Sequence, residues 1–390
     1  MTTLRVAIAG LGIGRQHLDA FRALPEEFDV VCICDPDAER RKAVAAESGI
    51  ARTVSGFDEL LTMQDVDIVD ICTPQNLHFR QTQDALAAGK HVICEKPVVG
   101  SLAECDELIR AERASGRRVM PVFQYRFGVG LQKLLHLVDR GITGRHFVST
   151  AETTWRRGPA YFKTAWRGRL ADSMGGCLLT QAIHAHDVMT LVLGDVQKAY
   201  ATTATRVNAV ETEDCAVASL TMADGSFVSL TVTLGSADDT SRLRFHFENL
   251  TAVSSLGPYT MTAEPWTFLP TSDDAARRID AALADFAPQP ERFVGQFQRF
   301  HSTLAAGIEP PVTLADARKS IELLSALYHS SATGIPVALP LSNEHPVYAG
   351  WLKSVVPAKD ETHHPVVPAK AGTQRLPAND TGSRRAPGRQ

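Results

Sequence analysis

The chain has 390 residues, 44% hydrophobic and 22% charged, with a formal net charge of -4. That length exceeds one ordinary core and points to about two domains, while the mild acidity gives no basis for a nucleic acid or an anionic membrane as partner. No apolar run approaches the ~20 residues of a membrane span, and residues 1–5 lead into an apolar strand without the basic stretch of a signal peptide, so a cytoplasmic location is expected.

Residues 4–9 read as a strand, followed by Gly10-Leu11-Gly12-Ile13-Gly14-Arg15 and a helix to about Leu24. Glycines at such a turn let a pyrophosphate approach free helix amides; the spacing is G-x-G-x-G, with Arg15 where a third glycine usually stands. A second strand, 30–34, ends on Asp35, about twenty residues on, where a carboxylate can accept from a ribose 2′-hydroxyl and repel a 2′-phosphate. NAD is therefore favoured, with Arg40 and Arg41 keeping NADP open; Asp35 could also cap the next helix ahead of Pro36. Helices are expected over 37–48, stopped by Gly49, and over 57–61, then a strand over 67–72 that breaks at Thr73-Pro74. Thr73 or Asn76 could cap the helix over 77–88; alternatively Thr73, Pro74, Asn76 and His78 line the nicotinamide side of a crevice. Gly89 closes that helix, and a short apolar strand, 91–94, runs into Glu95-Lys96-Pro97. In open α/β sheets ligands gather outside the carboxyl ends of strands, which places Glu95 and Lys96 for chemistry, although such a lysine could also be a solvated surface charge. Ser101 caps a helix to about Ser115, and a strand over 119–124 completes the sheet, ending on Gln124 ahead of Tyr125-Arg126-Phe127.

The second half changes period. After a helix over 128–140, strands are expected over 146–155, 196–205, 215–222, 227–234 and 243–248, with Asp224-Gly225 as a hairpin turn. Helices return over 274–286, 291–306 and 314–333, the segregation typical of α+β domains. Two segments break the pattern. Residues 155–169 are rich in arginine and aromatics, among them Tyr161, Trp166 and Arg167: either a surface loop anchored by its rings, or a functional segment. Residues 175–187 open a helix to about Gly194 that puts Thr180, His184 and Asp187 on one face. His184 and His186 do not face each other on a helix, which argues against metal, and a lone helical histidine could be structural. The tail, 346–390, repeats Val-Val-Pro-Ala-Lys at 355–359 and 366–370 and has too few periodic apolar groups to fold, so it reads as a disordered appendix. Cys32, Cys34, Cys72, Cys94, Cys105, Cys177 and Cys215 are odd in number and lack a C-x-x-C spacing, as small core residues in a reducing compartment do.

The glycine turn at 10–14, Asp35, Thr73-Pro74 with Asn76 and His78, and Gly89-Lys90-His91-Val92 with Glu95-Lys96-Pro97 recur in this order in the glucose–fructose oxidoreductase / inositol 2-dehydrogenase / MocA (Gfo/Idh/MocA) family, which the chain resembles to about residue 340. The Glu-Lys-Pro triplet is the most specific mark of that resemblance. It implies an N-terminal Rossmann α/β domain (1–126) and a C-terminal α+β domain (127–345) on a large, mostly antiparallel open sheet. It implies NAD or NADP held by Gly10, Gly12, Ile13, Gly14, Asp35, Thr73, Pro74, Asn76, His78, Glu95, Lys96, Gln124, Trp166 and Arg167. A sugar or cyclitol substrate would lie near Lys96, Arg126, Tyr161, Arg167, Thr180, Gln181 and His184. His184 falls on the family's catalytic histidine, and Lys96 or His184 would take the hydroxyl proton. Many dehydrogenases of the family carry Asp where this chain has Thr180, which cannot relay a proton as a carboxylate does. Two other readings therefore stay open: an NAD-dependent glycosidase working through transient oxidation, and a non-catalytic cofactor-binding sensor. No metal, nucleic acid or membrane partner is expected; a homo-oligomer, dimer or tetramer, through an exposed sheet face is.

Overall fold

Short apolar runs without alternation suit strands buried on both faces. In the computed structural model, which describes residues 2–164 and 166–352, they form a six-stranded parallel sheet. Its strands are β1 (Leu4–Ala9), β2 (Phe28–Cys34), β3 (Thr53–Val54), β4 (Ile68–Ile71), β5 (His91–Cys94) and β6 (Val119–Pro121), in the order β3-β2-β1-β4-β5-β6. The order reverses between β1 and β4, the switch point at which such sheets open a crevice. Register does the rest: Ala9 lies opposite both Cys34 and Ile71, and Ile71 opposite Cys94. The residues that follow (Gly10, Asp35, Cys72 and Glu95) thus arrive level at one edge. β3 is an edge pair that the sequence pattern did not announce, and β6 stops at Pro121, so Gln124 begins a short 3-10 turn, Gln124–Phe127, rather than ending a strand.

The second sheet has eight strands: β7 (His146–Arg156), β8 (Val196–Ala204), β9 (Cys215–Met222), β10 (Phe227–Thr233), β11 (Gly235–Phe247), β12 (Leu250–Val253), β13 (Thr267–Pro270) and β14 (Val337–Ala338). The order is β13-β12-β11-β7-β10-β9-β8-β14, antiparallel throughout except for the β7–β10 pair. Alternation along β7 buries Ser149, Ala151, Thr153 and Trp155, and Asp224-Gly225 makes the β9–β10 turn with Gly225 at φ 86°. Helices Ile183–Leu193 and Leu314–Thr333 cover that inner face, while Val148, Tyr200, Val217 and Phe227 stand exposed on the other.

The late helices pack back onto the first sheet's layer. In Arg292–Ala306, Phe297 stacks on Phe21 at 4.5 Å, and Arg318 of Leu314–Thr333 reaches Asp106 at 2.7 Å. The expected start of the tail at residue 346 needs correction. Tyr348 donates to Asp106 at 2.6 Å, and Trp351 is fully buried, stacked on Tyr328 and donating to the Met174 carbonyl at 2.7 Å. Two aromatic side chains with matching partners tie 346–352 down. The remainder of the tail, with both Val-Val-Pro-Ala-Lys copies, lies outside the described residues.

Candidate active site

Each glycine of the first turn has its own reason. Gly10 has φ +92°, and a Cβ there would collide with the Cys72 carbonyl. Gly12 is exposed with nothing within 4 Å of a Cβ, the open approach that a pyrophosphate needs. Gly14 packs its helix on Ile8 and Cys72, so it takes over the close-packing role from the missing third glycine; Arg15 points out and pairs with Glu47 at 3.3 Å. No side chain caps the helix Gly14–Arg22 at Ile13, which leaves its first amides for an anion. Asp35 is buried and accepts from the amides of Leu11 and Asp37, each at 2.9 Å, and from Arg40 at 3.1 Å. It does not cap the following helix: Asp37 does, accepting from Glu39 and Arg40. Arg40, one of the two arginines that kept NADP open, is turned onto Asp35 and Asp37.

Beneath this turn lies a cluster the sequence reading missed. His17 is completely buried, its Nδ1 facing both Asp70 oxygens at 2.9 and 3.0 Å and its Nε2 facing Glu95 Oε1 at 3.2 Å. Cys72 Sγ touches the same ring at 3.3 Å. Burial works against charge here, but Asp70 raises the imidazole well above its ordinary pKa. Burial likewise opposes the Glu95 carboxylate, yet His17, and then Lys96, hold it below the usual range. The available signal was Asp70 itself, a charge inside an apolar buried strand, which requires a partner.

At the end of β4, Thr73 donates to Gln81 at 2.6 Å, and Pro74 and Asn76 are exposed. Neither Thr73 nor Asn76 caps the helix His78–Ala87; a 3-10 turn, Gln75–Leu77, enters it instead. His78 is buried, its ring nitrogens 2.8 Å from the carbonyls of Thr73 and Pro97. It braces the loop that carries Lys96 and has no nitrogen left for a ligand. Lys96 itself donates from Nζ to the Thr180 carbonyl at 3.0 Å, across to the elements that follow β7. Burial lowers its pKa, against the pull of Glu95.

The opposite wall is not one helix. Cys177–Thr180 and Ile183–Leu193 are separated at Gln181-Ala182, where the Ala182 amide reaches back to the Cys177 carbonyl at 2.9 Å. Thr180 therefore does not share a helix face with His184 and Asp187. Glu213 caps the short helix through the amides of Gly176 and Leu178, at 2.8 and 3.0 Å, and receives Tyr328 OH at 2.9 Å; burial pushes its pKa up to about 7. His184 stacks on Tyr125 at 4.3 Å, with Phe123 edge-on at 6.0 Å, and its Nδ1 has no partner among the described residues. Burial, then Lys96 and Arg292, put its pKa well below the ordinary value, so the ring is neutral.

Arg126, expected near substrate, is committed elsewhere. It forks onto Asp187 at 2.6 and 2.7 Å and meets Asp316 at 3.1 Å, so its charge fixes the helix behind His184. His184, His186 and Asp187 do not converge. Among the described residues the His, Cys, Asp or Glu side chains close enough to share an ion are His17, Asp70 and Cys72, whose atoms are already paired with one another.

Tyr161, Trp166, Arg167, Thr180, Gln181 and Glu213 line one narrow pocket. Arg167 lies over the rings of Tyr161 and Trp166, at 4.1 and 5.3 Å, with Nη1 on the Tyr161 carbonyl at 3.3 Å and a buried Nε that has no partner among the described residues. Gln181 donates to Tyr161 OH at 3.0 Å; the Thr180 hydroxyl lies against the Gly176 carbonyl and Gln181 Oε1 and can donate to one of them. Gln124 is buried with Oε1 unpartnered. Tyr161, Arg167, Thr180 and Gln181 are thus brought together, and Lys96 joins them through the Thr180 carbonyl.

Residues 4–123 match the oxidoreductase family with an NAD-binding Rossmann fold, and residues 131–253 match the Gfo/Idh/MocA C-terminal domain. The chain belongs to the Gfo/Idh/MocA family. Its first domain is accordingly the NAD-binding one, as the turn and Asp35 require. It is 30% identical to the D-glucoside 3-dehydrogenase of Escherichia coli (strain K12) over 192 residues, 49% of this chain and 54% of that protein. The chain thus spans about half of that relative, but 95% of the uncharacterized oxidoreductase YrbE of Bacillus subtilis (strain 168), at 26% identity over 351 residues and 85% of this chain. The WlbA dehydrogenase from Bordetella pertussis, crystallised with NADH and UDP-GlcNAcA, superimposes with a TM-score of 0.75 at 26% identity, over 87% of this chain and all of that one.

Proposed function

We propose that the protein moves a hydride between NAD and the carbinol carbon of a sugar or cyclitol, with Lys96 as the proton carrier. The observation that carries this reading is the Lys96 Nζ contact with the Thr180 carbonyl, which brings an ammonium of lowered proton affinity from the end of β5 to the wall that carries neutral His184. The residues fit the cofactor: open backbone at Gly12, free amides after Ile13, and a carboxylate at Asp35. Bound NAD supplies the hydride acceptor. Lys96, as the free amine, takes the hydroxyl proton as the carbon gives up its hydride, and returns it in the reverse direction. His184 orients the hydroxyl; Thr180, its OH turned to Gly176 and Gln181, relays nothing.

Arg167 is a cation without a carboxylate partner among the described residues, which favours a sugar bearing an acid group; the UDP-GlcNAcA bound by WlbA points the same way. The uncovered outer face of the eight-stranded sheet, with Val217 and Phe227 more than half exposed, is read as a contact with a second copy. Its free cysteines, mostly buried, suit the cytoplasm, and no helix among the described residues is long and apolar enough to cross a membrane. The test is a panel of polyols, aldoses and sugar acids followed by nicotinamide absorbance. Net reduction of free NAD with a sugar acid is expected. Bound NAD with no turnover on any member would overturn the reading, and glycoside cleavage without net reduction would replace it with hydrolysis.

A further inference from the structure

Lys96 follows a glutamate in sequence, yet among the described residues no carboxylate lies within ion-pairing distance of its ammonium, which donates to a backbone carbonyl instead. The cause lies on the far side of Glu95. One oxygen of that carboxylate faces His17 Nε2 at 3.2 Å, and the other accepts from the Lys96 backbone amide at 3.1 Å. The other ring nitrogen of His17 faces Asp70 at 2.9 Å. Both ring nitrogens therefore meet carboxylates, and the doubly protonated ring is the form that donates to both. The surroundings are closed. Asp70 and Cys72 come from the β4 end and Glu95 from the β5 end, while Phe293 and Phe297 of the helix Arg292–Ala306 cover the ring at 4.6 and 5.2 Å. Lys96 in turn faces Glu95, His78 and His184, both histidines held below their ordinary pKa chiefly by burial.

We propose that His17 is a positioning residue whose imidazolium holds the Glu95 carboxylate away from Lys96 and offsets its charge, leaving Lys96 able to give up its proton. This rests on the reading of Lys96 as proton carrier. An uncompensated carboxylate next to an ammonium strengthens its hold on the proton, by about 1–3 pH units for close pairs. The offset supplied by His17 is therefore large enough to decide whether Lys96 is a base near neutrality.

The experiment is the pH profile of kcat/KM for alcohol oxidation, in which activity rises as Lys96 loses its proton. In His17→Gln the rising limb should move up by about one unit or more, with about tenfold less activity at pH 7. In the double variant His17→Gln/Glu95→Gln both charges are gone, and the limb should return close to the wild-type position. A merely packing role for His17 predicts the opposite: a limb that stays put in the single variant, and a double variant no better than the single. Asp70→Asn, which withdraws the anion that keeps His17 charged, should shift the limb in the same direction and serves if His17→Gln does not fold; melting curves and NAD titration establish folding in each case. A limb unmoved in a folded His17→Gln or Asp70→Asn enzyme overturns the proposal. If instead Lys96→Met keeps wild-type turnover and the same limb, the assignment of Lys96 has failed, which is a separate result.

Discussion

The floor of the crevice and its wall differ in how their polar atoms are satisfied. On the floor Asp35, Asp70, His17 and Glu95 are all paired with protein atoms before any ligand arrives. On the wall Arg167 Nε and His184 Nδ1 have no partner among the described residues; Gln75 Oε1 and Gln124 Oε1, after β4 and β6, are also open. A buried polar group left unsatisfied costs about 1–3 kcal/mol, so such groups persist where a ligand completes them. On the function proposed here, the floor's charged groups are set in advance for the cofactor, and the open groups of the wall are left for the substrate.

The largest expected effect tests whether the two regions are separable. Trp351 backs the wall through the Met174 carbonyl and Tyr328, whose hydroxyl reaches Glu213 under Gly176. Trp351→Ala should cost about 3–5 kcal/mol in urea unfolding, while NAD affinity of the folded protein stays within about twofold. A parallel collapse of NAD binding would show that floor and wall are one unit. Next, His186 is buried in the wall's helix with neither nitrogen partnered among the described residues, and burial pushes its pKa down to about 4. Its folded pKa lies below the unfolded value of about 6.5, so its stability contribution is full above that pH and is lost as pH falls toward 4. At about 1.4 kcal/mol per unit, some ~2 kcal/mol should be gone by pH 5. His186→Leu should flatten that loss; equal acid sensitivity in both proteins would remove this account of the wall. The smallest effect is on the floor: Asp35→Ser should narrow the preference for NAD over NADP by about tenfold, the worth of one charge-assisted hydrogen bond, with kcat at saturating NAD little changed. A wild-type preference for NADP would contradict it.

Legibility followed the same division. The floor's strands, β3 apart, were readable because each is a short apolar run closed by glycine, proline or a cap, and Gly10, Gly12 and Asp35 sit where local spacing put them. His17 was not, because its partners lie 53 and 78 residues away and no local pattern encodes such a contact. On the wall the apolar and small residues from Cys177 to Leu193 suggested one helix; the break comes from Glu213, fixed from another strand's approach, and from the reach of Ala182 to Cys177. β11 begins at Gly235 rather than near Leu243 because Gly235 pairs with Arg156 of β7 and the ladder resumes at Thr240, ahead of the apolar stretch, with an irregularity between them. Trp351 stands in a stretch whose composition signals disorder, and two aromatics with waiting partners, Tyr348 and Trp351, override composition.

The central claim is that Lys96, on the rim of the prebuilt floor, carries the proton, while His184 on the wall orients the substrate. Steady-state kcat and KM of Lys96→Met and His184→Asn, on the substrate the panel yields, test it directly. Lys96→Met should lose about 10²–10⁴ in kcat with NAD affinity retained, because the glycine turn and Asp35 are untouched; His184→Asn should lose less, and partly through KM. Abolished turnover in His184→Asn beside near-normal turnover in Lys96→Met would contradict the account.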